Sequence, residues 1–376
     1  MPSLRPEVDP DGLLEYSVVY TDRALNHMSK RFQQVMRELS ATLKEVYGAA
    51  AVAIVPGSGT FAMEAVARQF VQGQRCLVVR NGWFSYRWSQ IIEQGRLSSE
   101  VAVLKARRVG DGAQAAFAPA PLDEVLAAIA RDRPAVVFAP HVETASGMLL
   151  PDAYLRAVGA ATREAGGLFV LDCIASGAIW ADMRSLGVDV LVSAPQKGWS
   201  GPPCAGFAML GERALARLET TTSDSFACDL KKWLSIMAAY EAGGHAYHAT
   251  MPTDALRQVR DVLAELREFG FERARQAQLE LGARVRALLA ERGVASVAAP
   301  GFEAPGVVVS YTARDDWHKG AAFAAEGLQI AAGVPLACDE GPEFKTFRLG
   351  LFGLDKLADV DAAVARLRRA LDALSA

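Results

Sequence analysis

The sequence predicts an α/β fold, a large domain with a mostly parallel sheet flanked by helices, followed by a smaller C-terminal α+β domain. Three observations predict it. Short, largely apolar runs bounded by Gly, Pro or polar residues recur from Ala51 to Leu210, as expected for strands buried on both faces. Amphipathic stretches of helical period alternate with them, and strand–helix–strand alternation implies parallel pairing through crossovers. The pattern then changes near residue 250, where a long helical stretch is followed by weaker strands.

The strands are expected at Ala51–Val55, Arg75–Arg80, Glu100–Lys105, Ala135–Ala139, Leu168–Asp172, Val188–Ser193 and Gly206–Leu210. The helices between them are expected at Phe61–Val71, Tyr86–Glu93, Leu122–Arg131 and Pro151–Ala165. Thr253–Leu289 reads as a long helix broken at Gly270, because glycine interrupts an otherwise continuous pattern. Strands Gly293–Ala298, Gly306–Tyr311 and Phe344–Leu349 and a final helix Leu357–Leu374 complete the small domain. The boundary falls in the Gly-, His- and Tyr-rich segment 245–255. This gives a large domain over 1–250, including an N-terminal arm over 1–30, and a small domain over 251–376.

Composition narrows the function classes. Of 376 residues, 51% are apolar and 22% charged, an ordinary globular balance with ample core material. With 40 Lys plus Arg against 43 Asp plus Glu, the net charge is −3, and no basic surplus points to nucleic acid. No apolar run approaches the length of a membrane span. The five cysteines are scattered without a CxxC pair, which argues against a disulfide scaffold and for the cytoplasm. His27, His245 and His318 show no metal-ligand spacing, so no metal is expected.

Three motifs carry chemistry. Pro56-Gly57-Ser58-Gly59-Thr60-Phe61-Ala62 follows a strand and opens a helix. Glycines let an anion approach the backbone, and the unpaired N–H groups of the first turn favour phosphate. A serine that merely caps the helix would look the same. The string also satisfies G-x-G-x-x-A, and Arg80 at the end of the next strand would suit an NADP 2′-phosphate, leaving an oxidoreductase as an alternative. Second, Asp172 ends a buried parallel strand, where ligands bind in open α/β sheets. Third, Lys197 follows another strand inside Ser193-Ala194-Pro195-Gln196-Lys197-Gly198-Trp199, a rigid apolar loop in which a lysine of depressed pKa can form a Schiff base. Asp172 and Lys197 would meet at the carboxyl edge of the sheet. Aspartate, lysine and a phosphate cradle are together the parts of a pyridoxal 5′-phosphate (PLP) site.

On these motifs the chain resembles the class V aminotransferases of fold type I, most nearly the alanine–glyoxylate and serine–glyoxylate branch. The resemblance runs from about residue 25 to the C-terminus and implies the following roles. Ser58, Gly59 and Thr60 form the phosphate-binding turn. Phe84, in Asn81-Gly82-Trp83-Phe84-Ser85-Tyr86-Arg87, stacks on the cofactor ring, and Thr144, in His141-Val142-Glu143-Thr144-Ala145-Ser146-Gly147, bonds near its phenolic oxygen. Asp172 pairs with the ring nitrogen above Ile174, Gln196 touches the phosphate, and Lys197 is the aldimine lysine. Tyr247 and Thr250 are lent to the phosphate site of a second subunit, which makes the protein a homodimer with shared sites. Arg348 grips the substrate carboxylate.

The resemblance implies a ping-pong transfer of an amino group from a small amino acid, alanine- or serine-like, to glyoxylate or pyruvate. A 2-aminoethylphosphonate-type transaminase is a second reading. Cys338, ten residues before Arg348, invites a third, the related cysteine desulfurases. Those enzymes place histidines where this chain has Phe84 and Gln196. A non-enzymatic regulator on the same fold is disfavoured by the intact Asp172, Lys197 and Arg348.

Overall fold

The computed structural model describes residues 7–375, so the first six residues of the expected N-terminal arm and Ala376 lie outside the described residues. Strands β1 (Ala51–Pro56), β2 (Cys76–Arg80) and β3 (Val101–Lys105) are followed by a small hairpin, β4 (Arg107–Val109) and β5 (Ala116–Ala118). Next come β6 (Val136–Pro140), the hairpin β7 (Val142–Glu143) and β8 (Met148–Leu149), then β9 (Leu168–Asp172), β10 (Val190–Ser193) and β11 (Ala205–Leu210). Seven of them form one sheet in the order β1-β11-β10-β9-β6-β2-β3. All pairs are parallel except those of β11, which runs antiparallel to both its neighbours. The carboxyl ends of β1, β2, β6, β9 and β10 therefore share one edge. Every residue of β2, β6, β9, β10 and β11 is buried, as the uninterrupted apolar runs require.

Three helices that the strand pattern did not single out stand at Lys30–Tyr47, Glu212–Leu218 and Leu230–Glu241. The first begins where Ser29 Oγ accepts from Phe32 N and ends at Gly48 in the left-handed region, φ +68°. Its apolar stripe, Phe32, Val35, Met36, Leu39 and Leu43, is buried where the helix packs on Leu230–Glu241 and Thr253–Phe269.

The expected long helix is indeed broken at Gly270, giving Thr253–Phe269 and Phe271–Ala290. A second sheet, in the order β12-β14-β13, comprises β12 (Val307–Tyr311), β13 (Ala331–Ala332) and β14 (Thr346–Gly350). The expected strand Gly293–Ala298 is not one. Its bonds go alternately to two neighbours, Val297 N to Val309 O and Phe117 N to Val297 O, so only isolated bridges form. Arg348, on the central strand β14, lies opposite Val309 and Ala331.

Candidate active site

The site lies at the carboxyl edge of the large sheet. Beyond β1, Gly57 adopts φ +117°, and Gly59 packs so closely that a Cβ there would sit 2.6 Å from Ile174 Cδ1. Gly59 opens the helix Gly59–Phe70, and Ser58 occupies its cap position without making a side-chain cap bond. The capping role considered for Ser58 is thus not the one observed. Ser58, Gly59 and Thr60 line a cavity, and the first-turn N–H groups of this helix have no partner within it.

Asp172 ends β9 and lines the same cavity. Its Oδ1 accepts from Ile174 N at 3.0 Å, and burial pushes its carboxyl up to about 6. Lys197 arrives from the loop after β10. Gly198 passes so close to Gly177 O, 2.1 Å from an added Cβ, that only glycine lets the two loops meet. Ser200 N donates to Lys197 O and Gly201 N to Pro195 O, fastening the turn. Enclosure holds the Lys197 amine below its ordinary value, a push that the nearby Asp172 charge opposes and Arg348 and Arg87 reinforce. Lys197 Nζ lies 5.9 Å from the ring centroids of both Phe84 and Phe352.

Phe84 is set in place by a buried carboxylate. Glu143, fully buried, accepts from Phe84 N at 3.2 Å and Ser85 N at 2.8 Å. It also accepts from Ser85 Oγ at 2.7 Å and Ala145 N at 2.9 Å, tying the start of helix Trp83–Gln94 to the turn of the β7–β8 hairpin. The adjacent Thr144 lines the cavity with its buried Oγ1 unpartnered. Three cations face the Phe84 ring: Arg87 with Cζ at 4.9 Å from its centroid, Arg348 with Cζ at 5.5 Å, and Lys197. Arg348 donates through Nε to Ala332 O at 2.7 Å and makes no ion pair among the described residues. Burial lowers its pKa, and the Glu143 charge opposes that.

Ser58, Gly59, Thr60, Phe84, Thr144, Asp172, Ile174, Gln196 and Lys197 thus share one cavity, with Arg348 reaching toward it over Phe84. Tyr247 and Thr250 do not line it. They bond to each other at 3.1 Å on an exposed segment where Tyr247 is 54% exposed. Two residues inside the quoted motifs were not singled out, Glu143 and Arg87. The signal for Arg87 was its position one helical turn after Phe84.

Other candidates sit elsewhere. Cys338 is buried, with Sγ 3.4 Å from Arg80 O, and burial pushes its thiol up to about 12, the reverse of an activated nucleophile. Arg80, considered for an NADP phosphate, is buried and already donates to Ser89 Oγ and Ala337 O while stacking on Tyr86. His141 bonds Ser176 Oγ through Nδ1 at 2.8 Å, and burial holds its pKa at about 4. Among the described residues no cluster of His, Cys, Asp or Glu could hold a metal ion, and no helix is long and apolar enough to cross a membrane.

The residues fit PLP. Thr144 Oγ1 is a buried polar atom lacking a partner, and the turn at Ser58–Thr60 offers uncapped N–H groups and two hydroxyls to a phosphate. Among the described residues Asp172 Oδ2 makes no hydrogen bond, Phe84 lines the same cavity, and Lys197 supplies an amine of lowered pKa. Fold and pocket define the class, a PLP-dependent enzyme of fold type I.

Known proteins narrow it further. The family model described as Aminotransferase class-V matches residues 11–356, and the chain belongs to that family. It is therefore a PLP-dependent transaminase. The chain is similar to a 2-aminoethylphosphonate–pyruvate transaminase of Burkholderia ambifaria (strain MC40-6), 32% identical over 85% of this chain and 81% of that protein. It is also similar to an alanine–glyoxylate aminotransferase of Callithrix jacchus, 28% identical over 92% of this chain and 82% of that one. Among solved structures, an aspartate aminotransferase of subgroup IV from Thermus thermophilus superposes with a TM-score of 0.74 at 26% identity, covering 93% of this chain and 92% of that one.

Proposed function

We propose that the enzyme moves an amino group from a small alanine- or serine-like amino acid to glyoxylate or pyruvate, by ping-pong kinetics. The observation that carries this reading is the half-buried, unpaired guanidinium of Arg348 beside the Lys197 amine and the Phe84 ring. A cation held without a counterion at a pocket calls for an anion, and the guanidinium fork binds a carboxylate with two parallel bonds. PLP, when bound, supplies a carbonyl to capture the amine and a ring that takes up the electron pair released at Cα. The protein does the rest. Asp172 would hold the proton on the ring nitrogen, Phe84 and Ile174 would flank the ring, and Thr144 would bond its phenolic oxygen. Gln196, Ser58, Gly59 and Thr60 would receive the phosphate. Lys197, its amine held below its ordinary pKa by enclosure, would bind the cofactor and then carry a proton between the substrate Cα and the cofactor.

A second reading is favoured by the 2-aminoethylphosphonate–pyruvate transaminases among the relatives. Arg348 would then bind a phosphonate in place of a carboxylate. A matrix of amino donors against oxo-acid acceptors decides between them. Turnover with alanine or serine and glyoxylate supports the first reading, and turnover with 2-aminoethylphosphonate and pyruvate alone replaces it.

The active sites are shared across a homodimer on this account. The exposure of Tyr247 and Thr250 away from their own chain's pocket supports it. The division at residue 250 is likewise supported by the second sheet, built wholly from residues after 306. Five free, buried cysteines accord with a cytoplasmic location.

A further inference from the structure

We propose that Arg87 is a cofactor-binding residue, with its guanidinium paired to the phosphate of PLP. The inference rests on the reading of the pocket as a PLP site and extends it to a residue outside the motif roles described above. Arg87 stands one turn after Phe84 on helix Trp83–Gln94, so one helix presents an aromatic ring and a cation to the same cavity. Its Nη1 donates to Thr60 Oγ1 at 3.0 Å, which fixes the guanidinium against the Ser58–Thr60 turn. Arg87 is half-buried and makes no ion pair among the described residues, its one hydrogen bond there going to the Thr60 hydroxyl. A partly desolvated guanidinium without a counterion calls for an anion.

Two anions would enter this pocket, the cofactor phosphate and the substrate carboxylate. Geometry assigns one to each arginine. Arg348 is held from the second sheet through Ala332 O, whereas Arg87 is held by the turn that receives the phosphate. Charge supports the assignment. A helix N-terminus offers only about half a positive charge, too little for a phosphate near two minus charges. Asp172 and Glu143 add negative charge nearby. Arg87 supplies the missing cation, and its Nη2 and Nε, without a hydrogen bond among the described residues, suit a bidentate contact.

The test compares PLP with pyridoxal, which lacks the phosphate. Full-length protein freed of cofactor is titrated with each aldehyde and followed by its visible absorbance, for wild type, Arg87→Met and Arg87→Lys. Loss of a charge-assisted bond should weaken PLP binding by roughly 10- to 150-fold in Arg87→Met. Pyridoxal binding should change by less than about threefold, which also reports that the pocket is folded. Arg87→Lys, which keeps the charge, should retain most of the preference for PLP. Unchanged PLP affinity with a raised KM for substrate assigns Arg87 to the substrate and overturns the proposal. An equal loss for both aldehydes, in both variants, overturns it too, because Arg87 then shapes the pocket without reading the phosphate. Wild-type protein that binds neither aldehyde would remove the cofactor reading itself, a failure distinct from these.

Discussion

Replacing Asp172 by Asn should stabilise the cofactor-free protein while disabling the enzyme. Asp172 is buried at the end of β9, with one backbone N–H as its hydrogen-bond partner. Burial raises its carboxyl to about 6 from an ordinary 3.8. At 1.36 kcal/mol per pKa unit, ionising it in the fold costs about 3 kcal/mol more than ionising it in the unfolded chain. The sign follows from linkage. A carboxyl whose pKa is raised on folding favours the folded state below pH 3.8, and that contribution is lost as pH rises through 6. Asparagine keeps the shape and the acceptor for Ile174 N but carries no charge. Asp172→Asn should therefore be more stable than wild type above pH 7, by about 1–3 kcal/mol. The gain should be nearly intact at pH 6, shrink between pH 6 and pH 4, and be small at pH 4. His141, held at about 4 by burial, adds a pH dependence in this range, but both proteins share it and it cancels in the difference. Urea unfolding midpoints of the two cofactor-free proteins at pH 7.5, 6 and 4 measure this directly. A gain that is absent at pH 7.5, or that persists unchanged at pH 4, would refute the reasoning.

Two further outcomes follow from the same geometry. Arg348→Lys should lower kcat/KM by about 10- to 150-fold for both the amino acid and the oxo acid, since a lysine cannot make two parallel bonds to a carboxylate. Because Arg348 forms no ion pair and only one backbone bond among the described residues, thermal stability should barely move, and a large drop in stability with both half-reactions intact would contradict its role. Mixing Lys197→Ala with Tyr247→Ala subunits should restore activity at about a quarter of the sites, because only one site of each mixed dimer combines both intact residues. An active monomer by sedimentation would contradict the shared site.

Much of this architecture is legible in the residues, for stated physical reasons. Strands buried on both faces leave continuous apolar runs, so β2, β6 and β9 stand out, and the site residues follow at their carboxyl ends. The direction of β11 is not legible, because a buried antiparallel strand carries the same apolar run as a parallel one. Helix Lys30–Tyr47 carries its own marks in Ser29, Gly48 and an amphipathic stripe, but it precedes the first strand at Ala51 and so lies outside the strand–helix alternation. Gly293–Ala298 looks like a strand but shares its bonds between two neighbours, and sequence does not report partners. β13 is two residues long, too short for any periodicity. In the site, Asp172 and Lys197 are legible because each follows a buried strand, whereas Glu143 acts through bonds to backbone N–H groups of a distant helix. Only the fold brings those together.

Reductive labelling identifies the lysine that holds the cofactor, assigned here to Lys197. Protein loaded with PLP is treated with borohydride, digested and examined by mass spectrometry, for wild type and Lys197→Ala. Wild type should carry a phosphopyridoxyl group on the peptide bearing Lys197. Lys197→Ala should show no label, no turnover and a retained fold. A label of unchanged amount in Lys197→Ala, or a wild-type label on another lysine, would contradict the assignment.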